Sequence, residues 1–237
     1  MDKETFNDPC DTTYYLKKYL KQWNSFTSVH VGQSRSGKSY SLRSMLTPIL
    51  GEFDFILVFS KTISNGQYQS WLKTKLLYDD FKPEIIHKFR DIVVKHKNPS
   101  KAHPKGRTIK CLIIIDDCIS NNFRYQEEIL NLYFTGRHFN MSTCVLTQKC
   151  SMLGQALLCN TLIFCILFCG SLKEKKYISE NIIADALDSY TSGENKLTDL
   201  IRKGYTLQTD VCVNYNSLVI LPLEKDKVYT YKAPNKL

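Results

Sequence analysis

The sequence predicts an α/β fold in which a mostly parallel sheet is flanked by helices and extended by a C-terminal β-hairpin. Two observations carry this. Short apolar runs alternate with segments of helical period, and the gaps between runs are long enough for the crossovers that parallel strands require. A third sets the scale: 237 residues, 43% hydrophobic and 23% charged, suit one α/β domain or at most two small ones. The same figures exclude disordered, collagenous and low-complexity classes.

Taken in order, the runs FTSVHV (26–31), FILVF (55–59), CLIII (111–115), TCVLT (143–147) and LIFCILF (162–168) read as strands, being short, apolar and rich in β-branched and aromatic residues. Helical patterns fill 38–46, 67–77, 123–134 and 149–158, with a further stretch over 173–189. Near the end, 211–221 and 227–232 flank the charged turn LEKD and read as a hairpin at the sheet edge. The longest apolar run, 162–169, has eight residues against about 20 for a membrane helix, so it reads as a buried strand. The first residues, MDKETFNDPCDTTYY, lack a basic flank followed by an apolar stretch, so an intracellular chain is expected. Nine cysteines form no CxxC pair, and His30, His87, His96, His103 and His138 are scattered, so buried reduced thiols in a reducing compartment are expected and zinc is not.

The net charge of +9 is unevenly spread. Residues 82–110 hold nine basic and two acidic residues, a local +7. Within them the acid-free run KHKNPSKAHPKGRTIK (95–110), broken by Pro99, Pro104 and Gly106, reads as an exposed loop. Such a loop is either a solvated surface or a contact for a nucleic-acid backbone, since clustered Lys and Arg release condensed counterions on binding phosphate.

Three motifs carry chemistry. Gly32-Gln33-Ser34-Arg35-Ser36-Gly37-Lys38-Ser39 matches GxxxxGK[ST], follows a predicted strand and opens a predicted helix, so these eight residues and Tyr40 are expected to bind the nucleotide. In such a phosphate loop the glycines let backbone N–H groups turn inward, the helix N-terminus adds a positive dipole end, Lys38 reaches the β/γ oxygens of ATP and Ser39 ligates Mg²⁺. The second motif, Lys110 to Asp117 (KCLIIIDD), is an apolar strand ending in two carboxylates: Asp116 to hold Mg²⁺ through water, Asp117 to orient or deprotonate the attacking water. The third is TGRH (135–138) followed by a strand ending in Gln148. If that strand lies beside the acid-bearing one, Gln148 points at the γ-phosphate. Arg137, which follows a helix, can reach a neighbouring subunit's nucleotide and neutralise transition-state charge. Readings as a structural ion pair for Arg137 and a solvated strand end for Gln148 stay open.

In this order GQSRSGKS, LIIIDD, TGRH and VLTQ resemble the FtsK/HerA superfamily of P-loop motors. The compact size, and RH before a strand ending in TQ, look more narrowly like the poxvirus- and virophage-type genome-packaging ATPases of large DNA viruses. The resemblance covers roughly residues 20–222. It implies an additional-strand (ASCE, RecA-like) ATPase core over 25–222, between an N-terminal helical segment (1–24) and a C-terminal strand and tail (223–237). It also implies a homo-oligomeric ring, usually hexameric, that uses ATP and Mg²⁺ to move double-stranded DNA into a preformed capsid, with a capsid-vertex or internal-membrane protein as partner. The expected location is then the virion or the host-cell cytoplasm. Carried over, the phosphate cradle is Gly32, Gly37, Lys38 and Ser39, the metal acid Asp116, the sensor Gln148 and the candidate finger Arg137. Asp117 departs from the Glu of many superfamily members, which weakens its assignment as base. A P-loop small-molecule kinase and a nucleotide-gated assembly or binding protein are the alternative readings.

Overall fold

The computed structural model describes residues 10–97, 108–118, 126–187, 196–212, 216–224 and 227–234. Among them, β1 (Thr27–Val31), β2 (Phe55–Ser60), β3 (Leu77–Tyr78), β4 (Cys111–Asp116), β5 (Met141–Thr147) and β6 (Ile163–Ile166) run parallel. At one edge β7 (Asn216–Ile220) pairs antiparallel with β6, and β8 (Val228–Lys232) with β7. The sheet order is β3-β2-β4-β5-β1-β6-β7-β8. The strand β5 therefore stands between β1, which leads into the phosphate loop, and β4, which ends in the acids; this is the additional strand of the expected core.

The strands read as unbroken apolar runs because both faces of the sheet are covered. In β4, Cys111, Ile113 and Ile115 join one core, and Leu112 and Ile114 join the other. The first core packs against α3 (Pro83–Lys97), α4 (Glu127–Thr135), α5 (Gln155–Cys159), α6 (Leu172–Ile178), α7 (Ala184–Leu187) and α8 (Lys196–Val211). The second packs against α1 (Thr12–Trp23) and α2 (Lys38–Leu46). Helix α1 begins where the Asp11 carboxylate accepts from Tyr14 N at 3.0 Å and ends at Asn24 in the left-handed region. The connection between β7 and β8 is tied to α1 by Glu224, which accepts from Lys18 Nζ at 2.7 Å and from Tyr19 Oη at 3.0 Å.

Several sequence expectations are corrected. Residues 67–77 are not a helix: a turn closes at Leu72 N→Tyr68 O (2.9 Å), and the chain then runs extended into β3. Residues 149–158 split into a 3₁₀ turn (Cys150–Met152) and the short α5, because Gly154 adopts φ 75° between them. Residue 211 closes α8 rather than opening the hairpin, whose first strand begins at Asn216. Of the basic run 95–110, residues 95–97 close α3, 98–107 lie outside the described residues, and Ile109 is buried. Eight of the nine cysteines are buried; Cys159, at the end of α5, is exposed. Among the described residues no helix is long and apolar enough to cross a membrane.

Candidate functional site

The C-terminal ends of β1, β4 and β5 meet at the loop 32–37, where a parallel α/β sheet presents ligand sites. Backbone bonds stitch the loop to its neighbours: Gly32 N donates to Thr147 O at 3.1 Å and Gln33 N to Phe168 O at 3.0 Å. This approach is too close for a side chain at 32, where a Cβ would stand 2.5 Å from Ser36 Oγ and 3.0 Å from Leu167 Cβ. Gly37 enters α2 at φ 92°, a conformation that L side chains rarely adopt. These positions give the glycines of the motif their physical reason, and α2 starts with its N–H groups facing the loop.

Lys38 is folded back over this loop. Its Nζ donates to Gly32 O at 2.9 Å and to Gln33 O at 3.1 Å, and only 7% of the residue is exposed. Burial lowers its pKa, while the charges of Asp117 and Asp116 pull the other way. The Ser36 hydroxyl is buried with no hydrogen-bond partner. An unpartnered buried donor in a loop of inward-turned amides fits a phosphate, whose oxygens would accept it.

Asp116 ends β4 at 4% exposure. Burial pushes its carboxyl up to about 6; a hydrogen bond from Tyr68 and the Lys38 charge oppose that, and the Asp117 charge adds to it. Tyr68 Oη donates to Asp116 Oδ2 at 2.8 Å. Ser39 and Asp116 are oxygen donors of the kind Mg²⁺ prefers, so the residues present fit that ion. Asp117 leaves the strand with φ 51°, uncommon for a residue other than Gly, and its amide donates to Leu146 O at 3.2 Å. Gln148 Nε2 donates to Asp117 Oδ2 at 3.1 Å, so the structure joins the glutamine to the second acid.

Arg137 lies elsewhere. It sits exposed in the 3₁₀ turn Gly136–Phe139 before the start of β5, about 20 Å from the phosphate loop of its own chain, given ~3.3 Å per strand residue. There it lines a cavity of about 250 Å³ with Trp23, Phe134, Cys159 and Leu223. Tyr40 is exposed on α2, and its hydroxyl donates to Pro234 O. Tyr68 is the site residue that the sequence did not single out: it stands 48 residues before Asp116, and no local spacing marks it.

The family described as Poxvirus A32 protein matches residues 13–208. No curated protein sequence matches. Among solved structures, the DNA-packaging ATPase B204 from Sulfolobus turreted icosahedral virus superposes with a TM-score of 0.60 at 19% identity, covering 90% of this chain and 100% of that one. The genome packaging NTPase B204 from Sulfolobus turreted icosahedral virus 2, in complex with ATP-gammaS, gives 0.60 at 17% identity over 88% of this chain and 98% of that one. The cytoplasmic domain of the Thermomonospora curvata Type VII secretion ATPase EccC gives 0.53 at 14% identity, over 87% of this chain and 25% of that one. At these identities the superpositions establish the shared fold.

Proposed function

The chain belongs to the Poxvirus A32 protein family, and from that premise we propose that it is an ATP-hydrolysing motor that moves double-stranded DNA into a viral capsid. The observation that carries the reading is the convergence of Lys38, Asp116, Asp117 and Gln148 at the ends of three adjacent strands, with Asp117 held by Gln148 at 3.1 Å. A nucleotide kinase needs only the first two. A residue pair that orients a water belongs to hydrolysis.

In this reading the loop amides from Gly32 to Gly37 bind the phosphates, and Lys38 exchanges its own-loop carbonyls for β/γ oxygens. Ser39 and Asp116 hold Mg²⁺, which when bound neutralises phosphate charge. Asp117 orients the attacking water and takes its proton as the bond to the γ-phosphorus forms and the β–γ bridge breaks. Gln148, bonded to that acid, moves with it and links the end of β5 to the state of the nucleotide. The placement of Arg137 at the far end of β5 removes it from its own site, so its use requires a neighbouring copy, packed head to tail as in a ring. The superpositions on B204 support the packaging assignment at the level of fold, and a capsid-vertex protein would complete the machine.

The test is ATP hydrolysis by the purified chain across a concentration series, with and without long double-stranded DNA, beside Lys38→Ala. Stimulation by DNA with steeper than linear dependence on protein supports the motor. Turnover that is linear in protein and indifferent to DNA, also after a capsid partner is added, overturns it.

A further inference from the structure

Between β2 and β3 the chain makes an excursion that is exposed or half-buried from residue 61 to 71 except at Tyr68, which is 0% exposed. The excursion holds its own shape. Gly66 N donates to Ile63 O (3.2 Å), Ser70 N to Gly66 O (3.2 Å) and Gln69 Nε2 to Ile63 O (2.9 Å), and Thr74 Oγ1 ties its far end to Ile56 O of β2 (2.7 Å). None of these bonds uses the Tyr68 hydroxyl. The ring packs in the core that holds Leu72, Leu112 and Leu146, with the Trp71 ring centroid 6.2 Å away. Phenylalanine would meet those needs equally well, without a hydroxyl to bury.

What the phenol adds is its partner, Asp116 Oδ2 at 2.8 Å, the carboxylate that ends β4. We propose that Tyr68 is a positioning residue for the metal: its hydroxyl fixes the rotation of the Asp116 carboxylate, so that this oxygen ligand is set before Mg²⁺ and nucleotide arrive. The proposal rests on the reading of the site given above. Partners of metal-binding side chains characteristically change metal affinity by 10–100-fold when removed.

The experiment is a Tyr68→Phe substitution, with Mn²⁺ binding read by electron paramagnetic resonance in the presence of ATP, and binding of a fluorescent ATP analogue read in EDTA. The expected result is Mn²⁺ affinity about tenfold weaker or more, with metal-free analogue binding unchanged. Asp116→Asn sets the baseline, and combining the two substitutions should cost little beyond Asp116→Asn alone, because they remove one linkage. Wild-type Mn²⁺ affinity in Tyr68→Phe, or losses that simply add in the double variant, would overturn the role. If Tyr68→Phe does not fold, the readout is Trp71 emission in a Trp23→Phe background on adding Mg²⁺ to the ATP complex: a change supports the linkage, and silence overturns it. A wild-type chain that binds no metal with ATP would overturn the site reading itself. A wild-type chain that binds metal, matched by its Tyr68→Phe variant, would overturn only the role of Tyr68.

Discussion

Acid should cost this protein stability at one buried imidazole. His30 lies in β1 at 1% exposure, and its Nδ1 has no hydrogen-bond partner. Burial lowers its pKa from 6.5 to about 3. Below 6.5 the unfolded chain takes up a proton that the folded chain refuses until about 3, so stability falls as pH drops through that window. At pH 5 the loss is about 2 kcal/mol, and the full shift is worth about 5 kcal/mol, at 1.36 kcal/mol per pKa unit. Asp116 works in the opposite direction. Its carboxyl, raised from 3.8 to about 6, favours the folded state as it protonates, by about 3 kcal/mol over that interval. A pH series on the wild type alone would mix the two. A comparison with His30→Leu cancels the Asp116 contribution, because that group is common to both chains. Urea unfolding at pH 7.5 and pH 5 should then show the wild type losing about 2 kcal/mol relative to the variant. A difference between the chains that is the same at both pH values would refute the reasoning.

Three further outcomes follow from the site. Lys38→Ala should cut ATP turnover by roughly 10²-fold or more with the circular dichroism spectrum unchanged, since in the proposed site its ammonium meets the phosphate charge while its bonds in the structure are to loop carbonyls alone. Gly37→Ala should destabilise the chain by about 1–2 kcal/mol in urea and weaken nucleotide binding, because φ 92° strains any L side chain; equal stability would return that position to an ordinary helix start. Mixing Arg137→Ala with Asp117→Asn chains should restore part of the hydrolysis that each lacks, as shared sites pair an intact acid with an intact arginine. No recovery at any ratio would count against an arginine supplied by a neighbour.

The sequence was most readable where one local pattern does one job. The phosphate loop, the acid-ended strand and the five long parallel strands are written in contiguous residues, and sheet burial on both faces makes each strand an apolar run. It misled at 67–77 for a physical reason: Tyr68, Trp71 and Leu72 have helical spacing because one turn does bring them together, yet the turn stops at Leu72. Helix α3 was hidden by its charge, although Ile86, Phe89 and Val93 trace a buried stripe along it. The bond from Tyr68 to Asp116 and the bond from Gln148 to Asp117 join separate elements, and no single-chain spacing announces such contacts.

The unequal burial of the cysteines has a practical side. With eight thiols enclosed in the two cores, Cys159 alone is available to a maleimide, so the natural chain is a ready single-site labelling reagent. That thiol shares a cavity with Arg137, Trp23 and Phe134, at the end of the sheet away from the phosphate loop. A fluorophore attached there would report, by quenching or anisotropy, the approach of a second chain to the arginine, without altering any residue that touches nucleotide.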